Sequence, residues 1–209
     1  MVAVLLVAGA AGGFGASLAL AENPTAVGAG VPVVAHSPSL PVDPAPSLVP
    51  DPAFASLATS LDLVDRRVGG KGGFRMTVPV PKGWDEVANS LNEWKWRPPD
   101  QPEFGYVLRV EQVLSQRDTV ARILANRKVA LDQDESSVEF VDETSNSLHF
   151  TYVTESHLRH GFLIWLDVTG SGFAQVEVAL TGREVDVPGM QDLVTRVAYG
   201  IRLGGPTGG

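Results

Sequence analysis

Four imidazoles are the chain's only side chains that titrate near neutral pH: His36, His149, His157 and His160. His157 and His160 stand three apart beside Glu155. Such a trio can ligate a metal ion, but Glu155–His160 is a polar run between apolar stretches and reads as a solvated hairpin loop. No metal and no cofactor is assigned. His149 falls on the polar side of its own segment. Serines and aspartates are present, but no Gly-x-Ser-x-Gly elbow frames a nucleophile. The acidic groups Asp132-Asp134-Glu135 and Asp142-Glu143 lack the D-x-D-x-D-G spacing of a calcium loop. Gly69-Gly70-Lys71-Gly72-Gly73 has neither the frame nor the following helix of a phosphate-binding loop. The chain has no cysteine, so disulfides, zinc–thiolate sites, thiol nucleophiles and cysteine-linked lipids are excluded. No catalytic residue is assigned.

The aromatic residues carry a stronger signal. Trp94 and Trp96 lie two apart, with Lys95 and Arg97 alternating between them, so the two indoles share one face of a strand; Tyr106 follows nearby. Two readings stay open. The rings cap a sheet beneath a helix, or Trp94, Trp96 and Tyr106 form a surface that receives a ligand or partner.

Charge narrows the partners. The net charge is -8, and the densest basic cluster is Arg66-Arg67 with Lys71. Nucleic-acid backbones attract far larger Lys/Arg clusters, so no nucleic-acid role is expected.

The segments that must carry these residues divide clearly. Residues 1–21 open with an uncharged apolar run, Val2–Leu20, long enough to span a bilayer at 1.5 Å per residue. It ends in Ala19-Leu20-Ala21, which fits signal-peptidase cleavage before Glu22. Signal peptide or single membrane anchor, either reading means export. The first basic residue is Arg66, so a basic segment upstream of Met1 is expected. Residues 22–50 hold Pro24, Pro32, Pro38, Pro41, Pro44, Pro46 and Pro50, the composition of an extended linker. Asp51-Pro52 resembles a helix start, and Phe54, Leu57, Leu61 and Val64 recur at helical spacing before Gly69-Gly70. A short amphipathic helix is therefore expected over 51–68, running from Pro52 to Arg67.

Residues 69–204 hold the globular domain, and 205–209 a tail. Phe74, Met76, Val78 and Val80 alternate with Arg75, Thr77 and Pro79, the pattern of a half-buried strand. Trp94–Arg97 and Tyr106–Glu111 give two more. Ser115 opens a helix, with Asp118 in a capping box and Val120, Ile123, Leu124 and Leu131 on one face. Four short strands follow, 138–141, 148–153, 162–168 and 173–180, separated by polar turns as in an antiparallel meander. Phe162–Val168 (FLIWLDV) is apolar on both sides and must be covered on both. A last helix starts at Pro188, with Met190, Leu193, Val194, Val197 and Ile201 as its stripe. The order predicts an α+β fold: an antiparallel sheet with helices on both faces.

The run Phe74–Trp84, a strand closing in Pro-Lys-Gly-Trp, followed by Glu93-Trp94-Lys95-Trp96 and Leu108-Arg109-Val110, resembles the PsbP-like α/β/α sandwich superfamily, nearest the LpqN-type extracytoplasmic domains of actinobacteria. The resemblance implies that fold and no shared catalytic residues; it does not extend to the lipid-bearing cysteine, which is missing here. The expected function is an extracytoplasmic, non-catalytic binding or scaffold domain of a cell-envelope protein, membrane-anchored or secreted. Its partner would be an envelope protein or a small ligand. Two alternatives stand: an envelope hydrolase with an unrecognised site, or the sensor module of a separately encoded signalling system.

Overall fold

Seven antiparallel strands form the central sheet of the protein, seen here in a computed structural model that describes residues 46–101, 105–114 and 117–204. The leader, most of the linker, the helix start at Ser115 and the tail lie outside the described residues. In chain order the strands of the unit are β1 (Leu63–Gly69), β2 (Arg75–Pro81), β3 (Asp85–Asn89), β4 (Glu93–Arg97), β5 (Val107–Gln112), β6 (Ser136–Glu143), β7 (Ser147–Thr154), β8 (His157–Leu166), β9 (Val176–Gly182) and the two-residue β10 (Arg202–Leu203). The helices are α1 (Val120–Asp134) and α2 (Val187–Gly200). The large sheet runs β3-β4-β5-β9-β8-β7-β6, and a second sheet runs β1-β2-β10.

Side-chain alternation sorts the core into two layers. On one side, Leu108 and Val110 of β5, Val176, Val178 and Leu180 of β9, and Trp94 and Trp96 of β4 meet Met76, Val78 and Val80 of β2 and Met190, Leu193, Val194 and Val197 of α2. On the other, Leu148 and Phe150, Leu163 and Trp165, and Ala179 meet Leu124 and Leu131 of α1. The doubly apolar β8 is covered as its sequence requires: Phe162 and Ile164 pack towards α2, Leu163 and Trp165 towards α1. The antiparallel meander β6-β7-β8-β9 and the α+β sandwich stand as expected.

Two local expectations are corrected. No helix forms over 51–68: residues 51–62 run as an extended strap and 63–69 as β1, paired with β2 from Leu63↔Pro81 to Gly69↔Arg75. The groups a helix would spend internally are taken from outside. Asp51 accepts from Arg159 Nη2 at 2.7 Å, and Arg183 donates to the carbonyls of Pro52, Phe54 and Ala55 at 3.4, 3.2 and 3.0 Å. Second, α1 is capped by Thr119, whose hydroxyl accepts from Arg122 N at 3.3 Å, one turn later than the expected capping box. β3, which the sequence does not announce, is an edge strand with an exposed surface and a bulge between Glu86 and Ala88, so it shows no apolar alternation to read.

Candidate functional site

α1 rests on β6 and β8 and on the β7 side chains Leu148 and Phe150, and leaves the same face of β4, β5 and part of β9 without a helix above it. The outward positions there are charged: Glu93 and Lys95 on β4, Arg109 and Glu111 on β5, Glu177 on β9. Glu177, only 5% exposed, is the centre. Arg127 of α1 places Nη2 between its two oxygens at 3.0 and 3.1 Å, Trp165 Nε1 donates at 2.8 Å, and Arg109 pairs with it from β5. Arg109 also reaches Glu93 at 3.2 Å and Glu111 at 2.9 Å. Three cations and three carboxylates thus interleave, each buried charge meeting an opposite one.

The carboxylates are not equivalent. Burial raises the Glu111 pKa, and its neighbours Glu177 and Glu93 add to that against the pull of Arg109. Burial also pushes Glu93 up, but hydrogen bonds from Lys95 and Arg109 outweigh it, and its pKa is lowered. Beside the network, small residues at Ala179 and Thr181 open a cleft of about 460 Å³ between α1 and the sheet. The sheet lines it with the apolar Val107, Phe150, Leu163 and Ala179 and with Lys95, Arg109 and Tyr152; Arg127, Leu131 and Glu135 come from α1 and its C-terminal end. A second hollow of about 330 Å³ lies beyond Arg127 and Glu177, towards Asp118 and Asn126. The ion network divides one groove into two.

The residues singled out from sequence fall elsewhere. Trp94, Trp96 and Tyr106 are 4%, 1% and 8% exposed. The two indoles fill the core under β2 and α2, and Tyr106 stacks between Phe54 and Trp84 at 5.7 and 5.6 Å. Their rings are spent on packing. The imidazoles separate too. Glu155 and Ser156 form the turn itself, both at positive φ, while His157 and His160 belong to β8. His157 Nδ1 lies 3.2 Å from Asp51, and His160 Nδ1 lies 3.0 Å from His149 Nε2. Glu177 and Arg127 went unremarked in the sequence. A single carboxylate in a strand otherwise reading Val-x-Val-Ala-Leu was the available signal, since a buried charge needs a partner.

The unit is an α/β/α sandwich with a charged groove on one face. No protein-family model matches the chain, and no curated protein matches it. Two solved structures are similar to it. The Ran-binding protein Mog1p of Saccharomyces cerevisiae is 10% identical, with a TM-score of 0.43, over 66% of this chain and 93% of that one. LpqN of Mycobacterium tuberculosis, involved in cell envelope biogenesis, is 12% identical, with a TM-score of 0.42, over 68% and 92%. Among the described residues no helix is long and apolar enough to cross a membrane.

Proposed function

We propose that this chain is an extracytoplasmic, non-catalytic binding domain of a cell-envelope protein, built in the PsbP-like manner its Phe74–Trp84 run resembles. The groove beneath α1 is its ligand site. Export is argued from the Val2–Leu20 run and the Ala19-Leu20-Ala21 that closes it. Binding is argued from one observation: a cleft of about 460 Å³ combines apolar lining residues with guanidinium groups already held by carboxylates. Apolar clefts with a few fixed polar groups are the usual form of a small-molecule site. The polar groups here are mutually neutralised and anchored, which suits holding a ligand with an apolar body and a polar or anionic end.

The test uses an anionic aromatic probe, anilinonaphthalene sulfonate, with the chain lacking residues 1–21. The expected result is saturable fluorescence enhancement that Ala179→Leu, which fills the cleft, abolishes while the melting temperature stays within a few degrees. Enhancement unchanged by Ala179→Leu, or none in the parent protein, would remove the groove as the site.

A further inference from the structure

The His149–His160 pair lies on the opposite face of the sheet from the groove, on β7 and β8, and plays no part in the proposed binding reading. The register sets the pair diagonally: His149 faces Phe162 and His160 faces Thr151. His149 stacks flat on Phe162, with ring centroids 4.0 Å apart and planes 10° apart. Its Nε2 and the Nδ1 of His160 lie 3.0 Å apart. Two nitrogens bound to one cation at about 2.1 Å and at right angles to each other stand about 3.0 Å apart. The spacing therefore matches two adjacent corners of a tetragonal site.

We propose that His149 Nε2 and His160 Nδ1 chelate a divalent transition-metal cation of tetragonal preference, Cu²⁺ before Ni²⁺ or Zn²⁺. Neutral imidazole is the ligand form, and burial holds both rings below their ordinary pKa, His160 further depressing His149. The hydrogen bond between the rings places one proton on one facing nitrogen. On metal binding that ring adopts its other tautomer, both rings turn so that the two lone pairs converge on the cation, and no redox change occurs. His149 borders a cleft of about 220 Å³ together with Asp142 and Gln191, which gives water access to its side of the pair. Asp142, directly opposite His149 in the β6–β7 register, and Glu184, beside His160, supply negative potential for a cation.

The experiment titrates the chain lacking residues 1–21, without a histidine tag, with Cu²⁺, Ni²⁺ and Zn²⁺ by calorimetry, and reads Cu²⁺ electron paramagnetic resonance. The expected result is one Cu²⁺ per chain with two equatorial imidazole nitrogens, bound more tightly than Zn²⁺. His149→Gln and His160→Gln should each weaken it by at least the roughly 10-fold that loss of even an outer ligand partner costs, whereas His36→Gln leaves it unchanged. Paramagnetic broadening in the parent protein, which needs no variant, should centre on the amides of Leu148–His149 and His160–Gly161. Affinity unchanged in both strand variants, or broadening centred on His36 or His157, would overturn the proposal.

Discussion

Two arginine–carboxylate centres occupy this domain, and they serve opposite ends. At Arg183 and Asp186 everything is enclosed: the pair is 3% and 0% exposed. Asp186 accepts from Arg183 Nε at 2.8 Å, from the Arg183 amide at 3.0 Å and from the Leu57 amide at 2.9 Å. Arg183 Nη2 also donates to Asp186 at 2.9 Å, Nη1 and Nη2 together donate to three strap carbonyls, and Phe54 lies over the guanidinium at 4.1 Å. At Glu177 the carboxylate is equally buried, but its arginines are not, with side chains 22% and 33% exposed towards the groove. The first centre closes a seam. The second keeps cations at the rim of a cleft without leaving a buried charge unpaired. Identical chemistry is enclosed or held at a surface according to how many donors the fold leaves facing outward.

The sharpest attempt to break this contrast is Arg183→Ala. It strands a fully buried carboxylate and frees three carbonyls, so a loss of about 3–5 kcal/mol is expected in urea unfolding, with hydrogen exchange rising first across 48–62. A loss under about 1 kcal/mol would erase the distinction. Glu177→Gln keeps the size and one acceptor for Trp165, and a smaller loss of about 1–3 kcal/mol is expected, read as a lower denaturation midpoint. A cost equal to that of Arg183→Ala would make the groove network a fastener as well.

The histidine pair tests a third environment. Both folded pKa values are lowered, so the unfolded chain binds protons first as the pH falls. The pair's contribution is complete above the unfolded value of about 6.5 and is lost as the pH falls from there through the folded values. Melting temperature should drop over that window, and His149→Gln/His160→Gln should flatten the slope; an identical slope in the double variant would place the titration elsewhere. The smallest effect belongs to Arg202, whose partner Asp65 is as exposed as itself. Arg202→Ala should change stability by no more than about 0.5 kcal/mol.

The legible parts of the fold were those where period and burial agree. Met76, Val78 and Val80 alternate because one face of β2 is buried, and β8 is apolar throughout because helices lie over both faces. The strap defeats such reading because its conformation is decided far along the chain. Asp51-Pro52 looks like a helix start until Arg159 and Arg183, more than a hundred residues on, take its carboxylate and carbonyls. Gly189 shows the same dependence, since a Cβ there would lie 2.1 Å from the Leu57 carbonyl oxygen. The groove was hidden for a related reason. Arg109, Arg127 and Glu177 sit in three separate elements, and only the β5–β9 register and the docking of α1 bring them together. Trp94 and Trp96 were placed on one face correctly, but which face was inside depended on β2 and α2.

The strap has a mechanical consequence. Tension applied to the chain ahead of residue 46 reaches the strap before it reaches β1. It would meet Val49, bonded to Ser156 at the hairpin tip, then Asp51 against Arg159, then the Arg183 cluster. These contacts would be loaded one after another while the long β1–β2 ladder stayed unstressed. A pull on the amino-terminal side would therefore peel off a short ribbon and leave the seven-stranded body, groove included, intact.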